Sequence, residues 1–74
     1  MNDDGRMRDV PIRDEMIRLG QFLKLADKVQ AGSDVKAMLA GGDVTVNGEV
    51  ESRRGRQLAR GDVVGIGGDQ LRVG

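Results

Sequence analysis

The sequence predicts an α+β fold in which two short packed helices are followed by a small antiparallel sheet with a central hairpin. Three observations predict it: apolar residues at helical spacing in the first half, alternating valines around an Asn-Gly pair, and short apolar runs between glycines near the end. Helices and strands that are grouped rather than alternating are typical of this class. At 74 residues, the chain has the length of one small domain.

The beginning of the chain has no clear helical or strand pattern. Residues 1–11 mix Asp, Arg and Gly with few apolar side chains, so we expect a disordered N-terminal arm before a single domain of residues 12–74. Residues 12–17 could either lead into a helix or form a short edge strand, and the strand is favoured.

Two helices are predicted from apolar periodicity. The first covers residues 19–29, and two lysines four residues apart would share one of its exposed faces. The second begins after Ser33, a favourable N-cap, carries Asp34 in its first turn and ends at Gly41-Gly42. The lysines predicted to be exposed on the two helices are Lys24, Lys28 and Lys36.

The Asn47-Gly48 pair between alternating residues predicts a β-hairpin. A two-residue turn would pair Thr45 with Val50 and would put Glu51 on the same face as Val44. One extra residue in the turn, a bulge, would instead set Val44 opposite Val50. Because burial of both valines is favourable, we expect the bulge.

Two more strands follow from the glycine pattern after the hairpin. A turn at Gly61-Asp62 precedes a predicted strand over residues 63–66. A turn at residues 67–69 then precedes a last strand over residues 70–73. With the hairpin, these strands would make the small antiparallel sheet.

Composition excludes several classes of function. The chain has neither cysteine nor histidine, so it lacks thiolate ligands, thiol nucleophiles and the commonest general base. Its carboxylates are scattered rather than paired, and we therefore expect no enzyme, metal site, cofactor or small-molecule substrate. No apolar run approaches the roughly 20 residues of a membrane span. We expect a cytoplasmic protein with no membrane partner.

The charges are balanced in number but unevenly distributed. The 12 basic and 12 acidic residues disfavour a strongly basic nucleic-acid binder. However, Arg53, Arg54 and Arg56 follow the hairpin with no acid between them. Arginine can hold a phosphate through two hydrogen bonds, so these side chains and the helix lysines could form one phosphate-binding surface. From composition alone, a solvated loop explains the three arginines equally well.

Several short motifs occur in a fixed order along the chain. They are Arg18-Leu19 with Leu23, then Gly42-x-Val44-x-Val46-Asn47-Gly48, then Gly61-Asp62-x-Val64. In these motifs the chain resembles the S4-type RNA-binding domain, also called the alpha-L motif. The run Leu19 to Leu25 and the run Glu51 to Arg56 are similar to a subfamily of small free-standing bacterial single-domain proteins. The chain departs from the wider family at Gly20, where the family has Asp, and at Ala31-Gly32, where it has Ser-Arg.

The resemblance implies non-catalytic binding of structured RNA, such as ribosomal RNA or a ribosomal particle. We expect a monomer. The RNA-binding residues that the resemblance implies are Lys24, Lys28, Lys36, Asn47, Arg53, Arg54 and Arg56. The alternative is a protein–protein interaction module without direct RNA contact, in which the sheet edge or a helix face binds the partner and the arginines only solubilise the chain.

Overall fold

A computed structural model describes residues 7–29 and 32–74. Within these residues the chain forms two helices and seven strands. In chain order the elements are β1 (Met7–Val10), β2 (Met16–Arg18), α1 (Leu19–Leu25), α2 (Gly32–Ala40), β3 (Val44–Val46), β4 (Glu49–Val50), β5 (Gln57–Ala59), β6 (Val63–Ile66) and β7 (Asp69–Val73). The α+β class is confirmed. The predicted order is wrong, because two strands precede the helices.

The strands form two sheets rather than the one antiparallel sheet that the sequence predicts. The larger sheet has the order β1-β7-β6-β3-β4, and β2 pairs with β5 in a separate two-stranded sheet. All pairs are antiparallel except β1 with β7, which is parallel. A parallel pair needs a long connection between its strands, and here the rest of the domain supplies it.

The prediction of a disordered arm is wrong for residues 7–10, which form β1. This strand pairs along its length with β7, from Met7 opposite Gln70 to Val10 opposite Val73. Val10 is buried against the core. Strand pairing and apolar burial therefore order a segment whose low apolar content predicts disorder. Residues 1–6 lie outside the described residues.

Helix α1 ends at Leu25, earlier than its apolar stripe predicts. Asp27 adopts a left-handed φ of 61°, and its amide donates a 3.0 Å hydrogen bond to the carbonyl of Lys24. The amide of Lys28 donates a 2.9 Å bond to the carbonyl of Leu23. These two bonds form a Schellman closure of the helix. Lys28 therefore lies beyond α1, and the predicted face shared with Lys24 does not form.

Helix α2 is close to its predicted position. It begins at Gly32, so Ser33 lies in its first turn rather than at the N-cap. Asp34 lies in that turn, where its charge complements the positive end of the helix dipole. After the helix, Gly42 has a φ of 76° and its amide donates a 3.2 Å bond to the carbonyl of Leu39. Glycine termination of α2 is confirmed.

The hairpin has a two-residue turn, and the predicted bulge is wrong. Thr45 pairs with Val50, while Asn47 and Gly48 have φ values of 52° and 89°. Positive φ at both positions defines a turn whose twist matches that of the strands. The register leaves Val50 66% exposed and buries Glu51 instead. Burial of a valine does not decide the register, because Glu51 finds cationic partners.

One apolar core joins the helices to both sheets. Its fully buried side chains are Leu19, Phe22, Leu23, Val35, Val44, Val46, Leu58, Val64 and Val73. Strand β5 is not predicted from the sequence, yet its Leu58 pairs with Ile17 of β2 and fills the core. β5 thereby brings the segment after the hairpin against the segment that enters α1. The predicted last two strands are confirmed as β6 and β7.

Candidate nucleic-acid interface

Residues 51–56, which we call the arginine loop, lie against the start of α1. The amide of Leu19 donates a 2.8 Å hydrogen bond to the carbonyl of Arg56, and the amide of Gly20 donates a 2.9 Å bond to the carbonyl of Arg54. The first amides of a helix lack partners within it, and the N-cap residue of α1 supplies no side-chain bond. The loop therefore caps α1 with its backbone, which fixes the arginines relative to the helix.

The carboxylate of Glu51 organises the arginine loop. It accepts bonds from the amide of Arg53 at 3.0 Å, from Nε and Nη2 of Arg53 at 3.0 and 3.2 Å, and from Nη1 of Arg56 at 3.0 Å. Glu51 is only 7% exposed, and a buried carboxylate is costly unless it is paired and hydrogen-bonded. Two of the three loop arginines thus neutralise an acid of their own loop.

The hydrogen bonds in the arginine loop also shift the pKa values of Glu51 and Arg53. The pKa of Glu51 falls from 4.5 to about 2, chiefly because the Arg53 side chain donates to it, with the Arg53 amide and Arg56 adding to the effect. Glu51 in turn raises the pKa of Arg53. Glu51 is therefore ionised at neutral pH, where it holds Arg53 and Arg56 in place.

A depression of about 230 Å³, the cationic cleft, lies between α1, α2 and the arginine loop. Among the residues that the structure describes, its lining is formed by Arg18, Gly20, Gln21, Lys24, Val35, Arg54 and Gly55, none of which carries a carboxylate. Within the described parts of the chain, the charged groups of Arg18, Lys24 and Arg54 make no hydrogen bond or ion pair. Three unpaired cations around one depression suit an anion such as phosphate.

Gly20 keeps the cationic cleft open. A Cβ at this position would lie 3.5 Å from the Cβ and the carbonyl oxygen of Arg54, and 3.5 Å from Cγ1 of Val35. These are ordinary van der Waals distances, so a methyl group fits while a longer side chain would enter the cleft or displace the loop. Gly20 itself adds no charge to the cleft.

The structure brings two of the predicted RNA-binding residues, Lys24 and Arg54, into the cationic cleft. Arg53 and Arg56 contact Glu51 instead. The Arg53 side chain nevertheless remains 73% exposed, whereas that of Arg56 is 33% exposed. Arg53 can therefore still present charge to a ligand from the outside of the loop.

The other predicted residues lie away from the cleft lining. Lys28 forms a 2.9 Å ion pair with Asp69. The side chain of Asn47 accepts a 3.0 Å hydrogen bond from the amide of Val63, so it ties the hairpin turn to β6. Lys36 is exposed on α2 but does not line the cleft.

Sequence reasoning leaves three contributors out of the predicted site. Arg18 belongs to the Arg18-Leu19 motif directly before α1, and this motif could have identified it as a site residue. Glu51 follows from the two-residue turn, which places it on the buried face, where a carboxylate needs a cationic partner. Gln21 has no comparable signal, because its place in the cleft depends on how the arginine loop packs.

The described residues form neither a metal-binding cluster nor a membrane-spanning helix. Residues 7–29 and 32–74 hold no cluster of three or more acidic side chains placed to bind a metal ion. Neither α1 nor α2 is long and apolar enough to cross a membrane. Within the described residues, the cationic cleft has the charge and shape to bind an anionic ligand.

Comparison with known proteins agrees with the motif order seen in the sequence. The family model described as the S4 domain matches residues 10–74, which include both helices and all the strands except residues 7–9 of β1. The chain is also similar to the probable ribosome maturation protein RlbA of Bacillus subtilis (strain 168). The two are 54% identical over 59 residues, which cover 80% of this chain and 83% of that protein. The chain belongs to the S4 domain family.

Proposed function

We propose that this chain binds structured RNA without catalysis, with ribosomal RNA or a ribosomal particle as its target. The observation that carries the proposal is the cationic cleft, where Arg18, Lys24 and Arg54 converge and none of the described lining residues carries a carboxylate. Phosphate contacts supply most of the sequence-independent affinity for nucleic acid. Three free cations on one surface can supply such contacts even though the chain has no net charge.

The rigidity of the arginine loop supports this role. Two backbone bonds anchor it to α1, and Glu51 fixes Arg53 and Arg56. A side chain that is already ordered loses less conformational entropy when it binds a ligand, so a smaller entropic cost offsets the interaction energy. In this view, Glu51 positions the loop, while Arg54 contacts the phosphate.

The choice of structured RNA over single strands rests on the aromatic content. Non-specific single-strand binders stack bases on aromatic side chains, but the one aromatic residue of this chain, Phe22, is fully buried. Structured RNA is recognised largely through its shape and backbone. The similarity to a probable ribosome maturation protein supports a ribosomal target.

Sedimentation with purified ribosomal subunits tests the proposal. We expect the wild-type chain to co-sediment and the Arg54→Glu variant to be lost, with affinity reduced at least about tenfold because one charge-assisted contact becomes a repulsion. Arg72→Glu is the control for the charge change, on β7 outside the cleft lining; because it also removes the ion pair with Asp9, its fold is first checked by circular dichroism. Crosslinking then identifies the bound RNA.

Equal co-sedimentation of wild type and Arg54→Glu would contradict the role of the cleft. If the retained chain crosslinks to ribosomal protein and not to RNA, the chain acts as a protein-interaction module and the RNA proposal is wrong.

A further inference from the structure

An open apolar groove of about 610 Å³ lies beside the cationic cleft. Its lining includes Met16, Ile17, Gln21, Lys24 and Leu25. Met16 and Leu25 are 51% and 52% exposed, although both are large apolar side chains. An exposed apolar patch rimmed by polar residues is a feature of binding surfaces.

The apolar groove is continuous with the cationic cleft. Gln21 and Lys24 line both depressions. A smaller depression of about 210 Å³ connects Met16 and Ile17 with Arg18 and Gln21. A polynucleotide whose phosphate lies against Lys24 or Arg18 would therefore have its adjoining nucleotide next to exposed apolar side chains.

We infer that the apolar groove receives an unpaired base of the RNA whose backbone the cationic cleft holds; this inference rests on the proposed function. The base would contact Met16 and Leu25, whose side chains offer an apolar surface, that of Met16 with a polarizable sulfur. Gln21 has an amide that can both donate and accept hydrogen bonds at a base edge. Because a paired base is covered by its neighbours, the occupant must come from a bulge or a loop.

Charge favours an anionic occupant such as a nucleotide over a purely apolar partner. Two cations, Arg13 and Lys24, line the groove together with one carboxylate, Asp14. Both cations can pair with phosphates that flank an inserted base. The buried Phe22 cannot contact a base, whereas the apolar groove offers the exposed side chains of Met16 and Leu25 beside the cleft.

The inference is tested with two RNA hairpins that differ only by one bulged nucleotide, each closed by a non-nucleotide linker so that no loop base is unpaired. We expect the wild-type chain to bind the bulged hairpin about fivefold more tightly, which corresponds to about 1 kcal/mol. The double substitution Met16→Ala with Leu25→Ala should remove this preference and leave the affinity for the fully paired hairpin unchanged. Val50→Ala is the matched control, because Val50 is 66% exposed and lines neither depression.

The outcomes separate the inference from the proposed function. Equal wild-type affinity for the two hairpins, or a bulge preference that survives the double substitution, overturns the base site and leaves phosphate binding intact. If the wild-type chain binds neither hairpin, both proposals are wrong. Should the double variant unfold, Met16→Gln alone keeps the side-chain length while removing the apolar contact, and it should lower the preference for the bulged hairpin.

Discussion

Substitution of Arg54 by Gln should change how RNA affinity depends on salt. Each phosphate contact contributes about 0.7 to 0.9 to the slope of log affinity against log salt concentration. If Arg18, Lys24 and Arg54 each bind one phosphate, the wild-type slope is about −2 to −3. The Arg54→Gln variant should then have a slope smaller in magnitude by about 0.7 to 0.9. If Arg53 and Arg56 also each bind one phosphate, the wild-type slope would instead be about −4.

Fluorescence anisotropy with a labelled RNA hairpin, between about 50 and 200 mM salt, measures both slopes. Arg72→Gln is the control, because it removes the same charge from a side chain that is paired with Asp9 at 2.8 Å. This control should keep the wild-type slope. An unchanged slope for Arg54→Gln, or an equal change for Arg72→Gln, would refute the assignment of Arg54 as a phosphate contact.

Three further predictions concern stability. The pKa of Glu51 is lowered from 4.5 to about 2 in the folded state, so its ionised carboxylate stabilises the fold fully above about pH 4.5. This contribution is lost as the pH falls towards 2. The free energies of unfolding of wild type and Glu51→Gln, measured in urea, should therefore converge over that range. Gly65→Ala would place a Cβ 2.5 Å from Oγ1 of Thr45 and should destabilise the fold by about 1–3 kcal/mol, a loss that an added Thr45→Ala should reduce. Leu58→Ala, at a fully buried position, should cost about 2–5 kcal/mol in the free energy of unfolding; a loss below 1 kcal/mol would show that β5 is not part of the core.

The hairpin shows where prediction from the sequence succeeded and where it did not. The Asn47-Gly48 pair located the turn, because its backbone preference is local. The predicted register is wrong because the burial of Val44 and Val50 on one face does not decide it. The alternative was burial of Glu51, and its cost depends on Arg53 and Arg56, which approach it only in the folded loop.

Lys24 and Lys28 also show that local patterns can be predicted from the sequence, whereas contacts between distant residues cannot. Helical spacing placed Lys24 and Lys28 on one face, but the Schellman closure after Leu25 separates them. Lys28 then pairs with Asp69, which lies 41 residues away in the sequence. The sequence does not predict that α1 ends here, because Asp27 occupies the position of the closure where glycine is usual.

The sequence by itself determined the apolar stripes of the helices, the hairpin turn, the last two strands and the family motifs, because these depend on periodicity and on backbone preferences over a few residues. Only the tertiary structure decided which cations are free. Charge pairing depends on residues that are distant in the chain or that approach each other only after the loop has packed. Folding engages Arg53 and Arg56 with Glu51 and Lys28 with Asp69, and it leaves Arg18, Lys24 and Arg54 around one cleft.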